Sequence, residues 1–328
     1  MIPEISVVIP AYNRGNILKN TLPSLFNQSL EKDRFELIVV DDGSKDNTAK
    51  ILKEFSNSTS CQLRMYYQKH SLAGTARNLG VLKARGDIVL LIDSDINANP
   101  DLLKLHLMLH LKHPELHVGV FGNVITGNKF IDLCHLDNRE ITFSGALNPE
   151  NLLISPDYLT TQNLSLKKQY LKKVGLFKPE LPCLQDKELA FRLKQFNFKL
   201  IYCSKAIGVH TQPLDTIQKV VASGKKYGFT LAEWYDKIPN FQKEITNIGG
   251  RFNGGWTHFV NTPWQYLKDA IRRWLINRRT IHLILVLASK IPISNPPKRI
   301  LVRCCIEIWA FYYRYTFKER RKQLGLDK

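Results

Sequence analysis

Five short apolar runs punctuate the first 125 positions: ISVVI at 5–9, FELIVV at 35–40, LRMYY at 63–67, IVLLI at 88–92 and VGVFGNVI at 118–125. Their length and near-unbroken hydrophobicity predict buried strands. Patterns with helical spacing fall between them, near 16–27, 47–56, 74–84 and 101–112. Strands alternating with helices predict βαβ units, and so an α/β fold with a mostly parallel sheet flanked by helices. Pro23 lies inside the first helical pattern and predicts a kink or a late start there.

The rhythm stops near Leu214, which places a boundary at 213–215 and divides the chain into an α/β domain, 1–213, and a mainly helical region, 214–328. In the latter, 264–289 reads as a helix with Leu267, Ala270, Ile271, Trp274 and Leu275 on one face. Arg272, Arg273, Arg278 and Arg279 surround that face, and a second apolar and aromatic run covers 300–317. The longest uncharged run in these stretches is about ten residues, 280–289, against the ~20 that a spanning helix needs.

In parallel sheets, ligands bind outside the carboxyl ends of the strands. Three of the predicted strands end in polar segments: Pro10-Ala11-Tyr12-Asn13-Arg14, Asp41-Asp42-Gly43-Ser44 and Asp93-Ser94-Asp95. Two carboxylates one residue apart cannot both stay ionised at such a mouth without a cation or a proton. A hard divalent ion, completed by phosphate oxygens of a substrate, resolves the conflict. The ordinary alternative for such a spacing is a solvated turn or a helix cap. The first strand lacks a G-x-G-x-x-G turn and no P-loop follows, which argues against dinucleotide binding and ATP hydrolysis.

The segments SVVIPAYNR, VVDDGSKDNT, ARNLG and GDIVLLIDSD resemble, in order, the motifs of family-2 glycosyltransferases, and the likeness continues through TTQNLSLKK, VGLFKPEL, QDKELAFRL and IYCSKAIGVH. The resemblance covers about two-thirds of the chain and implies the GT-A fold, an inverting reaction and a nucleotide-diphosphate sugar donor. It implies that Pro10, Ala11 and Tyr12 line the base, with Arg14 close by, and that Asp42 bonds the base with Asp41 beside it. Arg77 and Asn78 would face base and diphosphate. Asp93 would meet the ribose or the metal, with Ser94 between it and Asp95, which would ligate Mn2+ or Mg2+. His210 would complete the metal shell, and Asp186 would be the general base. UDP is the nucleotide implied first, with dTDP and GDP open. The acceptor could be a saccharide, a lipid-linked glycan or a protein. One departure stands out: the pair before the base is usually Glu-Asp in this family and is Gln185-Asp186 here. Glu188 is the alternative base, although Glu188 and Arg192 are also spaced as a helical ion pair.

Charge adds a second theme. The net charge is +18, with +5 in residues 1–213 and +13 in residues 214–328. A basic, amphipathic carboxy-terminal region predicts a helical extension that meets an anionic membrane surface, packs on the core or forms a homo-oligomer. Nucleic acid is a weaker candidate, because no zinc-finger, KH-like or RRM-like motif accompanies the charge. Six cysteines without a C-x-x-C pair predict free thiols in a reducing, cytoplasmic setting, with the chain peripheral on the inner membrane face. His106 and His110, four apart on a leucine-rich helix, are expected at the surface rather than as a metal pair.

Overall fold

The computed structural model describes residues 2–125, 152–211, 217–234, 316 and 319–325. The stretches predicted as carboxy-terminal helices, 264–289 and 300–317, fall outside these residues apart from position 316. Residues 1–127 and 145–213 form one compact unit and the remainder of the chain a second.

In the first unit, each predicted strand and helix up to residue 125 is present: β1 (Ile5–Ala11), α1 (Gly15–Phe26), β2 (Phe35–Asp41), α2 (Thr48–Ser58), β3 (Gln62–Tyr67), α3 (Ala73–Lys83), β4 (Ile88–Ile92), α4 (Leu102–Lys112) and β6 (Val118–Ile125), with a short β5 (Ile96–Ala98) before α4. Then come β7 (Leu152–Ile154), β8 (Asn163–Lys167), α5 (Lys168–Val174), α6 (Gln185–Gln195) and β9 (Lys199–His210). In the second unit, α7 spans Ile217–Trp234, and Arg320 lies over the Phe229 ring at 4.4 Å.

Helix α1 neither starts late nor breaks at Pro23. The bond that proline removes would have reached the carbonyl of Lys19, an exposed residue where water can take its place.

The described strands form one sheet in the order β3-β2-β1-β4-β8-β6-β9-β5, with β7 also on β9. The first four are mutually parallel, whereas β8 runs antiparallel to both β4 and β6. Register brings the functional ends level. Ala11 pairs with Asp41 and Asp41 with Tyr67, so the residues that follow β1, β2 and β3 emerge side by side. Val8 pairs with Leu91, which carries Asp93 to the height of Pro10.

Four of the five apolar runs are buried because both sheet faces are covered there. The fifth, β3, is not: it is the edge strand, and Met65 and Tyr67 are exposed. Ile5, Val7 and Ile9 join Leu18 and Leu22 of α1 and Leu103 and Leu107 of α4 in the main core. Val8 points the other way, towards α3, where a Cβ on Gly80 would lie 2.3 Å from Val8 Cγ1. Each such fully buried aliphatic side chain contributes about 1.5–3 kcal/mol, so the strands specify their own depth.

His106 and His110 are not at the surface. Both are fully buried between α4 and the sheet. His106 lies 2.7 Å from Ser165 Oγ through Nδ1 and 2.9 Å from Asn163 Oδ1 through Nε2, and His110 Nε2 lies 2.8 Å from the same hydroxyl. Asn163 Nδ2 donates to Ala206 O, which leaves Oδ1 as an acceptor for His106 Nε2–H. His106 Nδ1 then accepts from Ser165, whose oxygen accepts from His110 Nε2–H. That pattern requires a neutral His106 with its proton on Nε2, while His110 Nδ1 has no hydrogen-bond partner among the described residues. The sequence LLKLHLMLHLK has leucine on every side, so its periodicity does not mark a solvent face.

Burial lowers His106 to about 4 and His110 to about 3, the latter also through the charge of Lys167. Both values lie below the unfolded value, so the unfolded chain binds more protons below about pH 6.5. The contribution is intact above that pH and is lost as pH falls towards 4, on the order of 3 kcal/mol for each ring. Denaturant unfolding at pH 7.5 and pH 4.5 should show this loss, and His110→Gln should flatten the pH dependence between them.

Candidate active site

The turn after β1 and the loop after β2 are tied together by side chains acting as local caps. Asn13 takes a left-handed φ of 53°. Its N–H donates to Ser44 Oγ at 2.8 Å and its Oδ1 accepts from Lys45 N at 2.8 Å. Arg14 N donates to Thr48 Oγ1 at 2.9 Å and Gly15 N to Asp46 Oδ2 at 3.2 Å. Burial pushes Asp46 up, but the bonds from Thr48 and Gly15 outweigh it and hold its carboxyl below the usual range. The polar residues after Ala11 are thus a fixed rim around the β1–β2 edge.

Asp41 Oδ1 accepts from Ser44 N at 2.8 Å, closing the turn over Gly43. Gly43 has φ +77°, and a Cβ there would lie 2.7 Å from His70 N, so both the turn and the close approach require glycine. Asp42 is buried, with Oδ1 accepting from Gln68 Nε2 at 2.6 Å and Ser71 N at 2.9 Å. Its Oδ2 lies 2.8 Å from His70 Nδ1, and the His70 ring stacks on Tyr12 with centroids 4.0 Å apart. Gln68, His70 and Ser71 were not among the residues singled out above. The signal for them was position alone, since QKHS follows β3 at the same sheet edge.

At the end of β4 the two carboxylates have different surroundings. Asp93 Oδ1 accepts from Arg77 Nη2 at 2.7 Å. Asp95 is 7% exposed, with Arg14 Nη1 3.7 Å from Oδ2 and His210 Nε2 3.6 Å from Oδ1. These are contacts of charge rather than hydrogen bonds, and Oδ1 has no hydrogen-bond donor among the described residues. Burial, then the charge of Asp93, raises the Asp95 carboxyl above the usual range, against the pull of His210 and Arg14. His210 arrives because Ile96 of β5 pairs with His210 of β9. The backbone of Asp95 is held from the same strand, its carbonyl accepting from Thr211 N at 2.8 Å. Ser94 is buried, and its carbonyl accepts from Thr21 Oγ1 at 2.8 Å.

Asn78 does not offer its amide to this edge. It donates Nδ2 to Phe177 O at 2.8 Å and accepts from Phe177 N at 2.9 Å, so its amide clamps a loop backbone. Asp186 lies in the first turn of α6, half-buried, with Oδ1 accepting from Lys187 N at 2.9 Å. Glu188 is buried and forms a two-pronged pair with Arg192, at 2.6 and 2.7 Å, and Arg192 also donates to the carbonyls of Val174 and Leu176. That is the helical ion pair the spacing allowed, and it ties α6 to the end of α5. Gln185 is buried and bonds Arg77.

A divalent ion suits one feature of this geometry. Asp95 Oδ1 is a buried carboxylate oxygen without a donor, next to a second carboxylate and an imidazole. Among the described residues, no three of His, Cys, Asp and Glu gather closely enough to form a complete shell. An ion here would rest on one or two protein ligands and take the remainder from phosphate and water, as Mg2+-type sites commonly do.

Known proteins share this architecture. The chain is 27% identical over 219 residues to the probable glycosyltransferase YdaM of Bacillus subtilis, covering 65% of this chain and 51% of that protein, and so it spans about half that relative's length. It is 25% identical over 283 residues to the O-antigen chain rhamnosyltransferase RfbN of Salmonella typhimurium, covering 83% and 84% of the two chains. Among solved structures, a mannosyltransferase from Pyrobaculum calidifontis in complex with GDP-Man and Mn2+ superposes with a TM-score of 0.64 at 15% identity, covering 97% of this chain and 88% of that one. The fold is the GT-A fold. The profile of glycosyl transferase family 2 matches residues 6–174, and the chain belongs to that family.

Proposed function

We propose that this chain transfers a sugar from a nucleotide-diphosphate donor, UDP first among the nucleotides, to a hydroxyl of a saccharide, lipid-linked or protein acceptor, with inversion at the anomeric carbon. The rhamnosyltransferase relative supports a role in surface polysaccharide assembly. The observation that carries the reading is the donorless, buried Asp95 Oδ1 at the end of β4, beside Asp93 and His210.

Tyr12 and Asp42 would hold the base, one by its ring and the other by its carboxylate. Asp95, with His210 and Asp93 around it, would hold Mn2+ or Mg2+. When bound, that ion supplies counter-charge to the leaving diphosphate. Arg77 and Arg14 keep the two aspartates from repelling each other, and Arg14 stays within reach of the same phosphates. Asp186 takes the proton from the acceptor hydroxyl as that oxygen attacks the anomeric carbon. The bond from that carbon to the diphosphate oxygen breaks on the opposite face, and the nucleoside diphosphate leaves with the electron pair. Glu188, enclosed by Arg192, would take no part.

Three outcomes are expected. Calorimetry with UDP should show binding that needs Mn2+ and weakens at least about tenfold in Asp95→Ala, with a smaller loss in His210→Ala. Equal affinity in EDTA and in Mn2+ would remove the metal role, and a parallel titration with GDP and dTDP identifies the nucleotide. Asp186→Asn should lower turnover by about two to four orders of magnitude with donor affinity near normal. Loss of affinity together with turnover would make Asp186 a binding residue instead.

The basic region 214–328 would meet the inner membrane surface or a second copy of the chain. Among the described residues, no helix is long and apolar enough to cross a membrane. Residues 251–328 carry 16 basic and 4 acidic side chains. Sedimentation with vesicles should therefore rise with anionic lipid, fall with salt and be lost on truncation after Phe259. Equal recovery in the supernatant with neutral and anionic vesicles at low salt would leave self-association or core packing as its role.

A further inference from the structure

Gln185 stands where the family usually has glutamate, and its surroundings give that change a physical content. The side chain is 6% exposed and both ends of its amide are engaged. Nε2 donates to Leu181 O at 2.6 Å, and Oε1 accepts from Arg77 Nη1 at 3.0 Å. The amide lies flat against α3 at Gly74, where a Cβ would sit 3.0 Å from both Cδ and Nε2. One end must donate and the other must accept. An ionised glutamate can only accept, and it would set a carboxylate oxygen against the Leu181 carbonyl.

The chain of contacts continues. Arg77, itself 7% exposed, uses its second terminal nitrogen on Asp93 Oδ1 at 2.7 Å and lies over the Phe177 ring at 5.8 Å. The guanidinium fork therefore spans α6, which carries Asp186, and the end of β4, which carries Asp93. With a neutral partner on α6, the positive charge of Arg77 serves Asp93 alone.

We propose that Gln185 is a positioning residue: through Arg77 it fixes Asp93 on the donor side relative to the start of α6 on the acceptor side. The inference rests on the donor reading given above. It makes the amide a working part of this site rather than the loss of an acid.

Full-length wild type, Gln185→Met, Gln185→Glu, Arg77→Lys and the Gln185→Met/Arg77→Lys double variant can be compared by thermal unfolding without ligand and by calorimetry with UDP and Mn2+. Lysine keeps a charge near Asp93 but cannot present the fork that reaches both partners. Gln185→Met should weaken UDP–Mn2+ binding about tenfold, the usual order for a buried hydrogen bond to a charged group. Gln185→Glu keeps the shape, loses the donor and should weaken it as well. In the Arg77→Lys background, Gln185→Met should weaken binding no further, because the link is already broken. A merely structural glutamine would lower the unfolding midpoint and leave the affinity of the folded protein unchanged. That result, or losses that multiply in the double variant, overturns the proposal while the donor reading stands. A wild type that binds none of UDP, GDP and dTDP with Mn2+ overturns both.

Discussion

A pair of carboxylates one residue apart, the half-buried Asp93 and the buried Asp95, organises this molecule. Strand β4 is apolar and buried throughout, and Asp93 and Asp95 stand where it ends. Burial and the like charge of Asp93 both act against the ionised form of Asp95. The fold answers with groups from separate segments: the Arg77 guanidinium from α3 on Asp93, the Arg14 guanidinium from the start of α1 near Asp95, and the His210 imidazole from the last residue of β9. The compensation is incomplete at Asp95 Oδ1, which has no hydrogen-bond donor among the described residues.

Holding those side chains in place depends on backbone pairing at a distance. The β1–β2 and β1–β4 registers bring the strand ends level, and the Ile96–His210 pair closes β9 onto the same edge. Smaller devices then tie the rim together: the Asn13–Ser44–Lys45 lattice and the Asp41 turn over Gly43. Each satisfies backbone groups that a loop would otherwise leave unpaired near the core.

The second half of the sheet rests on a different polar device. Ser165 and Asn163 of β8 face the two histidines of α4 and engage both ring nitrogens of His106 and Nε2 of His110, while His110 Nδ1 is buried without a hydrogen-bond partner among the described residues. A wholly apolar contact would pack as densely. The network adds direction, because donors and acceptors match in one arrangement only and the reversed strand β8 must therefore sit in one register against α4. Its sensitivity to acid is the counterpart of that specificity.

The strands, the helices between them and the three polar strand ends were legible from the amino-acid order, because burial on both faces imposes unbroken apolar runs and a binding edge interrupts them. Family membership was legible for a related reason: the motifs PAYNR, DDGS, ARN and DSD are contiguous and ordered. What the sequence could not convey is which polar groups meet. The depth of His106 and His110, the stacking of His70 on Tyr12 and the enclosure of Glu188 by Arg192 all depend on what packs against a helix or a strand end. Gln185 is the clearest case. By sequence it is the absence of an acid, whereas in the fold its amide joins Leu181 O to Arg77 and thence to Asp93. Local order along a chain sets periodicity and motif, but hydrogen-bond partners are chosen by three-dimensional proximity, and only the tertiary structure decides that.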